Sequence, residues 1–205
     1  MELIPTEQEV VELLKQTGAL RYGHFEYPSG LHSDMYLQPA LAMRHYETAK
    51  LLSVALSRKL RANSEIRATI AELSIVAPAT GGLPVAYGIC EALRAHQVYW
   101  AETAEPGGPL RFRPHMEPHP GDKVLLVDDI LKSGRKLSEL KAMIEARGAQ
   151  VVGLAVLIYQ PTPETLSLGS LPFYYLAQLD AMYFADKGSV DSSTRLNGDA
   201  ERVWI

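Results

Sequence analysis

Four consecutive apolar residues, Val124-Leu125-Leu126-Val127, run straight into two carboxylates, Asp128 and Asp129. A short turn with Gly134 follows, then a helical stretch from about Lys136 to Arg147, stopped by Gly148. A strand with no polar alternation is buried on both faces, and such strands belong to parallel sheets covered by helices. The chain repeats the pattern. Ser74-Ile75-Val76-Ala77 is a short apolar run, followed by Thr80-Gly81-Gly82 and a helical stretch over about 83–96. Strands are also read at Val98-Tyr99-Trp100, from Val151 to Ile158, and from Phe173 to Leu179. Strand and helix alternation of this kind predicts an α/β class, a doubly wound parallel sheet with flanking helices. In such sheets ligands bind outside the carboxyl ends of the strands. Two segments fall there, Ala77 to Gly82 and Asp128 to Lys136.

The flanking stretches fit one domain spanning residues 1–205. Thr6 and Glu9 form a capping-box pattern at the start of a helix whose stripe is Val10, Leu13 and Leu14, with Gly18 as its stop. A second helix is expected from about His45 to Arg61. The Pro/Gly-rich stretch from Pro106 to Gly121 is too broken for a long helix, and residues of about 101–121 are expected to form a mobile lid. The polar tail, 186–205, is expected to be irregular. With 205 residues, 47% of them hydrophobic, the chain has material for one sizeable core. Its net charge of -4 disfavours a nucleic-acid binder. One cysteine, Cys90, fits a reducing compartment and leaves no internal disulfide. The first residues have no basic segment leading into an apolar core, and no apolar run approaches the ~20 residues that span a bilayer. A cytoplasmic protein without membrane or nucleic-acid partners is therefore expected.

The chemistry concentrates in VLLVDDILKSGRKL, Val124 to Leu137. The backbone N–H groups of Lys132, Ser133, Gly134, Arg135 and Lys136 can surround a phosphate at a helix N-terminus. Asp128 and Asp129 are placed beside it to accept hydrogen bonds from sugar hydroxyls, a combination suited to a ribose phosphate. An apolar strand ending in Asp also occurs in nucleotide hydrolases, but no G-x-x-x-x-G-K-[ST] run is present. The histidines suggest no metal site: His115 and His119 are four apart, but Pro114, Pro118 and Pro120 prevent the helix that would align them.

With these residues the chain resembles the type I phosphoribosyltransferases, whose signature is an apolar strand, two acids and a Thr/Gly-rich turn for the 5′-phosphate of phosphoribosyl pyrophosphate (PRPP). Within that family the stretch from Thr17 to Leu41 resembles the orotate branch, through Gly18-Ala19-Leu20, Gly23-x-Phe25 and Ser29-Gly30-x-x-Ser33. Ala77 to Leu93 is similar to the family's pyrophosphate loop and its following helix. The resemblance implies the type I fold, with a small hood from about residues 1–40 and a contribution from the C-terminal segment. It implies transfer of the phosphoribosyl group from PRPP to a pyrimidine base, orotate, with Mg²⁺ carried by PRPP and no direct protein ligand. It further implies catalytic roles for Asp128 and Asp129, 5′-phosphate binding by Lys132 to Lys136, pyrophosphate binding by Ala79, Thr80, Gly81 and Gly82, and a homodimer.

The chain also departs from that pattern. Between Gln97 and Leu110 there is no Lys or Arg, where the orotate enzymes carry a basic run. Arg111 and Arg113 are the candidate lid cations that replace it. Leu31 stands where a basic residue follows Ser-Gly, and Asp34 and Met35 follow the second Ser. Met35, Tyr36 and His32 are the candidate base contacts. Lys132 replaces a Thr and Lys136 a small hydroxyl residue, adding positive charge near the phosphate. Two further readings stay open: a PRPP- or nucleotide-binding regulator that has lost catalysis, and a transferase for another base.

Overall fold

The structure is a computed structural model, and it describes residues 4–105, 107–184 and 199–203. The chain opens with α1 (Glu7–Gln16), whose N-cap Thr6 accepts from the Glu9 N–H while the Glu9 carboxylate accepts from the Thr6 N–H. Strands β1 (Leu20–Glu26) and β2 (His32–Leu37) form a hairpin, followed by α2 (Ala40–Met43), α3 (Tyr46–Ala62) and α4 (Ser64–Thr69). The remainder alternates: β3 (Leu73–Pro78), α5 (Gly82–Leu93), β4 (Gln97–Thr103), β5 (Leu110–Arg111), β6 (Lys123–Leu131), α6 (Arg135–Glu145), β7 (Gln150–Tyr159) and β8 (Phe173–Gln178). Two short strands, β9 (Tyr183–Phe184) and β10 (Glu201–Arg202), end the described chain.

The main sheet has six strands in the order β5-β4-β3-β6-β7-β8. β4, β3, β6, β7 and β8 run parallel, and β5 turns back antiparallel on β4. Alternate residues of each strand enter opposite clusters, as the period of two requires. Ile75, Ala77, Leu125, Val127, Ala155 and Leu157 pack under α1, α3 and α5 with Leu14, Leu52, Leu56 and Ile89. Val76, Val124, Leu126, Leu154 and Val156 pack under α6 with Leu137, Leu140 and Ile144. Among the described residues that second face has a single helix, and Leu110 and Phe112 pack there as well. The segment expected as a lid is therefore tied down at its stem. Glu102 pairs with Arg111 across β4 and β5, the Leu110 N–H donates to Glu139 Oε1 at 2.7 Å, and the Arg147 guanidinium lies over the Phe112 ring.

Helices α3 and α5 approach closely at Gly88. A Cβ built there would overlap Ser53 Oγ and lie 3.0 Å from Ser53 Cβ. Ser53 Oγ is buried with no hydrogen-bond partner among the described residues.

The hood is a second sheet, ordered β10-β1-β2-β9. β9 joins it by pairing Ser33 with Tyr183 and His32 with Phe184, so a strand from late in the chain completes this sheet. The tail expected to be irregular, 186–205, falls mostly outside the described residues; inside them, β10 pairs parallel with β1. No helix among the described residues is long and apolar enough to cross a membrane.

A buried unpaired hydroxyl costs about 1–3 kcal/mol. Ser53→Ala is therefore expected to raise the melting temperature by about 2–4 °C, whereas Gly88→Ala lowers it; scanning calorimetry of the two variants checks both.

Candidate active site

The strand order places the site. From β3 the chain moves outward to β4, then returns to the other side of β3 with β6 and continues away to β7 and β8. The crevice of a doubly wound sheet opens at such a switch point, beyond the carboxyl ends of the two diverging strands. Here those ends carry Ala79 to Gly82 after β3 and Asp128-Asp129 on β6. The Asp pair does not end its strand. β6 continues two residues further, because Ile130 and Leu131 remain paired with Ile158 and Tyr159 of the long β7.

The two sequence segments close on each other. A Cβ at Gly81 would lie 2.7 Å from Asp129 Oδ2, and one at Gly82 would lie 3.1 Å from Asp128 Oδ1 and 3.0 Å from Ala77 Cβ. At Gly81 the Asp129 carboxylate occupies the space of a side chain, and at Gly82 a Cβ would be tight against Ala77, Asp128 and Pro78. The loop is held on its other side by the Ala79 N–H, which donates to Ala101 O at 2.7 Å. The peptide between Ala79 and Thr80 is cis.

Asp128 is 8% exposed, and its Oδ1 accepts the Asp129 N–H at 2.9 Å. Asp129 Oδ1 accepts the Ile130 N–H at 2.8 Å. Burial, and then the neighbouring Asp129 charge, hold the Asp128 carboxyl well above the ordinary range. Burial also raises Asp129. Lys136, in the first turn of α6, eases the charge on both. The pair is thus a desolvated acceptor site whose charged form becomes favoured once hydroxyl donors or cations arrive.

The loop expected to bind phosphate follows β6. Gly134, with φ of 74°, is the N-cap of α6, and no side chain caps the helix. Its left-handed backbone suits glycine. Uncapped N–H groups at a helix start carry the positive end of the dipole and bind anions. Lys132 and Ser133 are braced from behind: the Leu166 N–H donates to Ser133 O at 2.9 Å, and Thr165 Oγ1 donates to Lys132 O at 2.6 Å. Arg135 and Lys136 are exposed at the helix start.

Other candidates are placed differently from one another. Met35 packs into the large cluster beneath the hood, whereas Tyr36 joins Phe25, Tyr27 and Val203 in a separate hood cluster. Consecutive strand residues face opposite ways, so one base cannot lie against both. His32 is engaged by His24, Nε2 to Nδ1 at 2.7 Å. Arg113 forms two hydrogen bonds to Glu102, at 2.5 and 3.1 Å, and is held on the hairpin. Arg111 is exposed. The side chain of Lys132 leaves the phosphate loop and lies over the rings of Tyr27 and Tyr183.

Sequence reasoning missed Gln160. It is 3% exposed, its Nε2 donates to Met35 Sδ at 3.5 Å, and its Oε1 accepts from Tyr183 OH at 3.2 Å. It links the end of β7 to the hood. Its signal was the one that revealed the Asp pair, a polar residue at the carboxyl end of an apolar strand. Among the described residues no group of three or more His, Cys, Asp or Glu is arranged to hold a metal.

The raised Asp128 value has a sign. Its contribution to stability is complete below the unfolded value of 3.8 and is lost as pH rises through the raised folded value. Asp128→Asn keeps the acceptor oxygen and removes the charge. It should melt about 3 °C above the parent chain at pH 8, with the difference shrinking toward pH 4, as followed by thermal melts across pH.

The geometry can now be set beside known proteins. The Phosphoribosyl transferase domain matches residues 52–170. Orotate phosphoribosyltransferase of Carboxydothermus hydrogenoformans is 33% identical over 172 residues, covering 84% of this chain and 85% of that protein. Among solved structures, orotate phosphoribosyltransferase from Aeropyrum pernix superposes with a TM-score of 0.65 at 20% identity, covering 83% of this chain and 93% of that one. Adenine phosphoribosyltransferase from Thermoanaerobacter pseudethanolicus gives a TM-score of 0.64 at 14% identity, covering 82% and 99%. The fold is therefore shared by enzymes named for different bases, and the sequence likeness is to the orotate enzymes. On the domain match and on that likeness over most of its length, the chain belongs to the type I phosphoribosyltransferase family.

Proposed function

We propose that the chain transfers the 5-phosphoribosyl group of PRPP to orotate, releasing pyrophosphate, as a step of pyrimidine nucleotide synthesis. The observation that carries this reading is the Asp128-Asp129 pair packed on the Gly81-Gly82 backbone, beside the uncapped start of α6. A ribose phosphate fits that arrangement as a unit. The α6 N–H groups and Gly134 take the 5′-phosphate, and Asp128 and Asp129 accept from the ribose hydroxyls. The backbone of Ala79 to Gly82 lies along the pyrophosphate. The sequence likeness to orotate phosphoribosyltransferases supports orotate as the base.

In the reaction a base nitrogen attacks C1 of the ribose as the C1–oxygen bond to pyrophosphate breaks, with inversion. The protein's share is positioning and stabilisation of charge. Anchoring both the phosphate and the ribose hydroxyls leaves C1 as the free end of a fixed sugar. The buried carboxylates stand near the positive charge that develops on the ring. Two carboxylates, with no third acid grouped beside them among the described residues, would suit Mg²⁺ that arrives with PRPP. Asp128 and Asp129 would lie beside it, and the ion would neutralise the departing pyrophosphate. The homodimer belongs to this proposal, with Tyr46, Leu51 and Tyr87 as exposed apolar surface on α3 and α5.

The second reading, a PRPP-binding regulator, is favoured by the lid. Arg113 is committed to Glu102, and no Lys or Arg lies between Gln97 and Leu110. Incubation with PRPP, Mg²⁺ and a panel of bases, following pyrophosphate release, separates the two. Turnover with orotate is expected; PRPP binding by calorimetry without turnover on any base would establish the regulator. Asp128→Asn combined with Asp129→Asn should abolish PRPP binding. Arg111→Ala should weaken PRPP by about fivefold or more, the loss of a hydrogen bond to a charged group, while Arg113→Ala has the smaller effect. Equal affinities for the parent and the Arg111 variant would remove Arg111 from the site.

A further inference from the structure

The connection between β7 and β8, residues 160–172, joins two parallel strands without a helix. Parallel neighbours usually need a helical crossover. This connection runs instead beside the loop that leaves β6 and takes up its carbonyls in succession. The Gln160 N–H donates to Leu131 O at 2.9 Å, Thr165 Oγ1 donates to Lys132 O at 2.6 Å, and the Leu166 N–H donates to Ser133 O at 2.9 Å. Three consecutive carbonyls are thus drawn to one side.

Planar peptides convert this into an arrangement of donors. In a trans peptide the C=O of one residue and the N–H of the next lie in one plane and point opposite ways. The peptides that follow Leu131, Lys132 and Ser133 are trans. Holding their oxygens against the connection therefore turns the N–H groups of Lys132, Ser133 and Gly134 away from it. No described residue accepts from these three N–H groups. They are the first donors of the loop read above as the 5′-phosphate site.

Two of the three holds are made by backbone and one by a side chain. Thr162-Pro163-Glu164-Thr165 is a turn in which the Thr165 N–H donates to Thr162 O at 3.0 Å, with proline at the second position, where its fixed φ suits the turn. Across the same turn the Thr162 N–H donates to Thr165 Oγ1 at 2.8 Å. Lys132 O can only accept, so the single proton of the Thr165 hydroxyl goes there. We propose that Thr165 is a positioning residue: by holding the Lys132 carbonyl it aims the Ser133 N–H at the 5′-phosphate. The inference rests on the reading of 132–136 as the 5′-phosphate loop. It assigns part of that loop's geometry to a side chain 33 residues further along the chain.

Ribose 5-phosphate carries the phosphate without base or pyrophosphate, so its binding to the full chain, followed by calorimetry, isolates this loop. Thr165→Val keeps the shape of the side chain and removes the hydroxyl. It is expected to bind ribose 5-phosphate about fivefold more weakly than the parent, while Thr165→Ser, which keeps the hydroxyl, stays within about twofold. With PRPP and orotate the same loss should appear as a raised KM for PRPP, with kcat and the KM for orotate unchanged, because the phosphate is held equally in ground and transition states. The calorimetric comparison stands whether or not the chain turns over orotate. Thr165→Ala replaces the valine variant if the latter does not fold. Equal affinity of the parent and the hydroxyl-free variant overturns the proposal. A serine variant as weak as the valine variant does so too, since the hydroxyl is then not the cause. A fall in kcat and in orotate affinity alongside the PRPP effect overturns it as well, because the defect is then general. In each of these cases a parent that binds ribose 5-phosphate leaves the phosphate-loop reading standing. A parent that does not bind it overturns that reading and this inference together.

Discussion

The parallel pairing of β3 with β6 is the constraint on which the molecule turns. It brings Leu73 to Val76 against Lys123 to Leu126 in register, and so delivers the ends of both strands to one level. Two loops distant in sequence then meet so closely that a Cβ at Gly81 would overlap the Asp129 carboxylate. Asp128 is buried and Asp129 partly buried where they meet, and burial raises the pKa of both. The crevice lies there because the sheet grows in opposite directions from this pair, which separates the connections above it.

The hood answers a different requirement. Strand ends in an open sheet are solvated, and a sugar reaction with a reactive carbocation-like centre has to be shielded from water. The second sheet supplies that cover with β1, β2 and two short strands from the far end of the chain. It is joined to the main sheet by a small polar and aromatic cluster: Gln160 to Met35 and Tyr183, and Lys132 to Tyr183 and Tyr27. Both links originate from segments at the carboxyl ends of β6 and β7, so the hood rests on residues that border the proposed site.

The central alternation was legible because strands buried on both faces leave an unbroken apolar run and helices leave a stripe. The capping box at Thr6 and Glu9, α3, α5 and α6 appear within a few residues of their expected bounds. The hood strands were not legible. β1 reads LRYGHFE and β2 reads HSDMYL, mixed segments whose burial is divided between the main core, which takes Leu20, Met35 and Leu37, and a hood cluster of Phe25, Tyr27, Tyr36 and Val203. The same holds for Asp34, Gln160 and Lys132, polar residues whose surroundings arise from three separate parts of the chain. Cys90 is a partly buried thiol whose pKa burial raises.

What the amino-acid order determined alone is local: where strands and helices lie, which strand ends in acids, and where a glycine opens a helix. Each of these depends on neighbours within a few residues, through periodicity, capping and backbone freedom. The strand order, the fit of Gly81 and Gly82 against the Asp pair, the commitment of Arg113 to Glu102, and the rise of Lys132 into the tyrosine rings were decided only by tertiary structure. They are contacts between segments tens of residues apart, and a side chain's direction there is set by what packs against it, which no local pattern records.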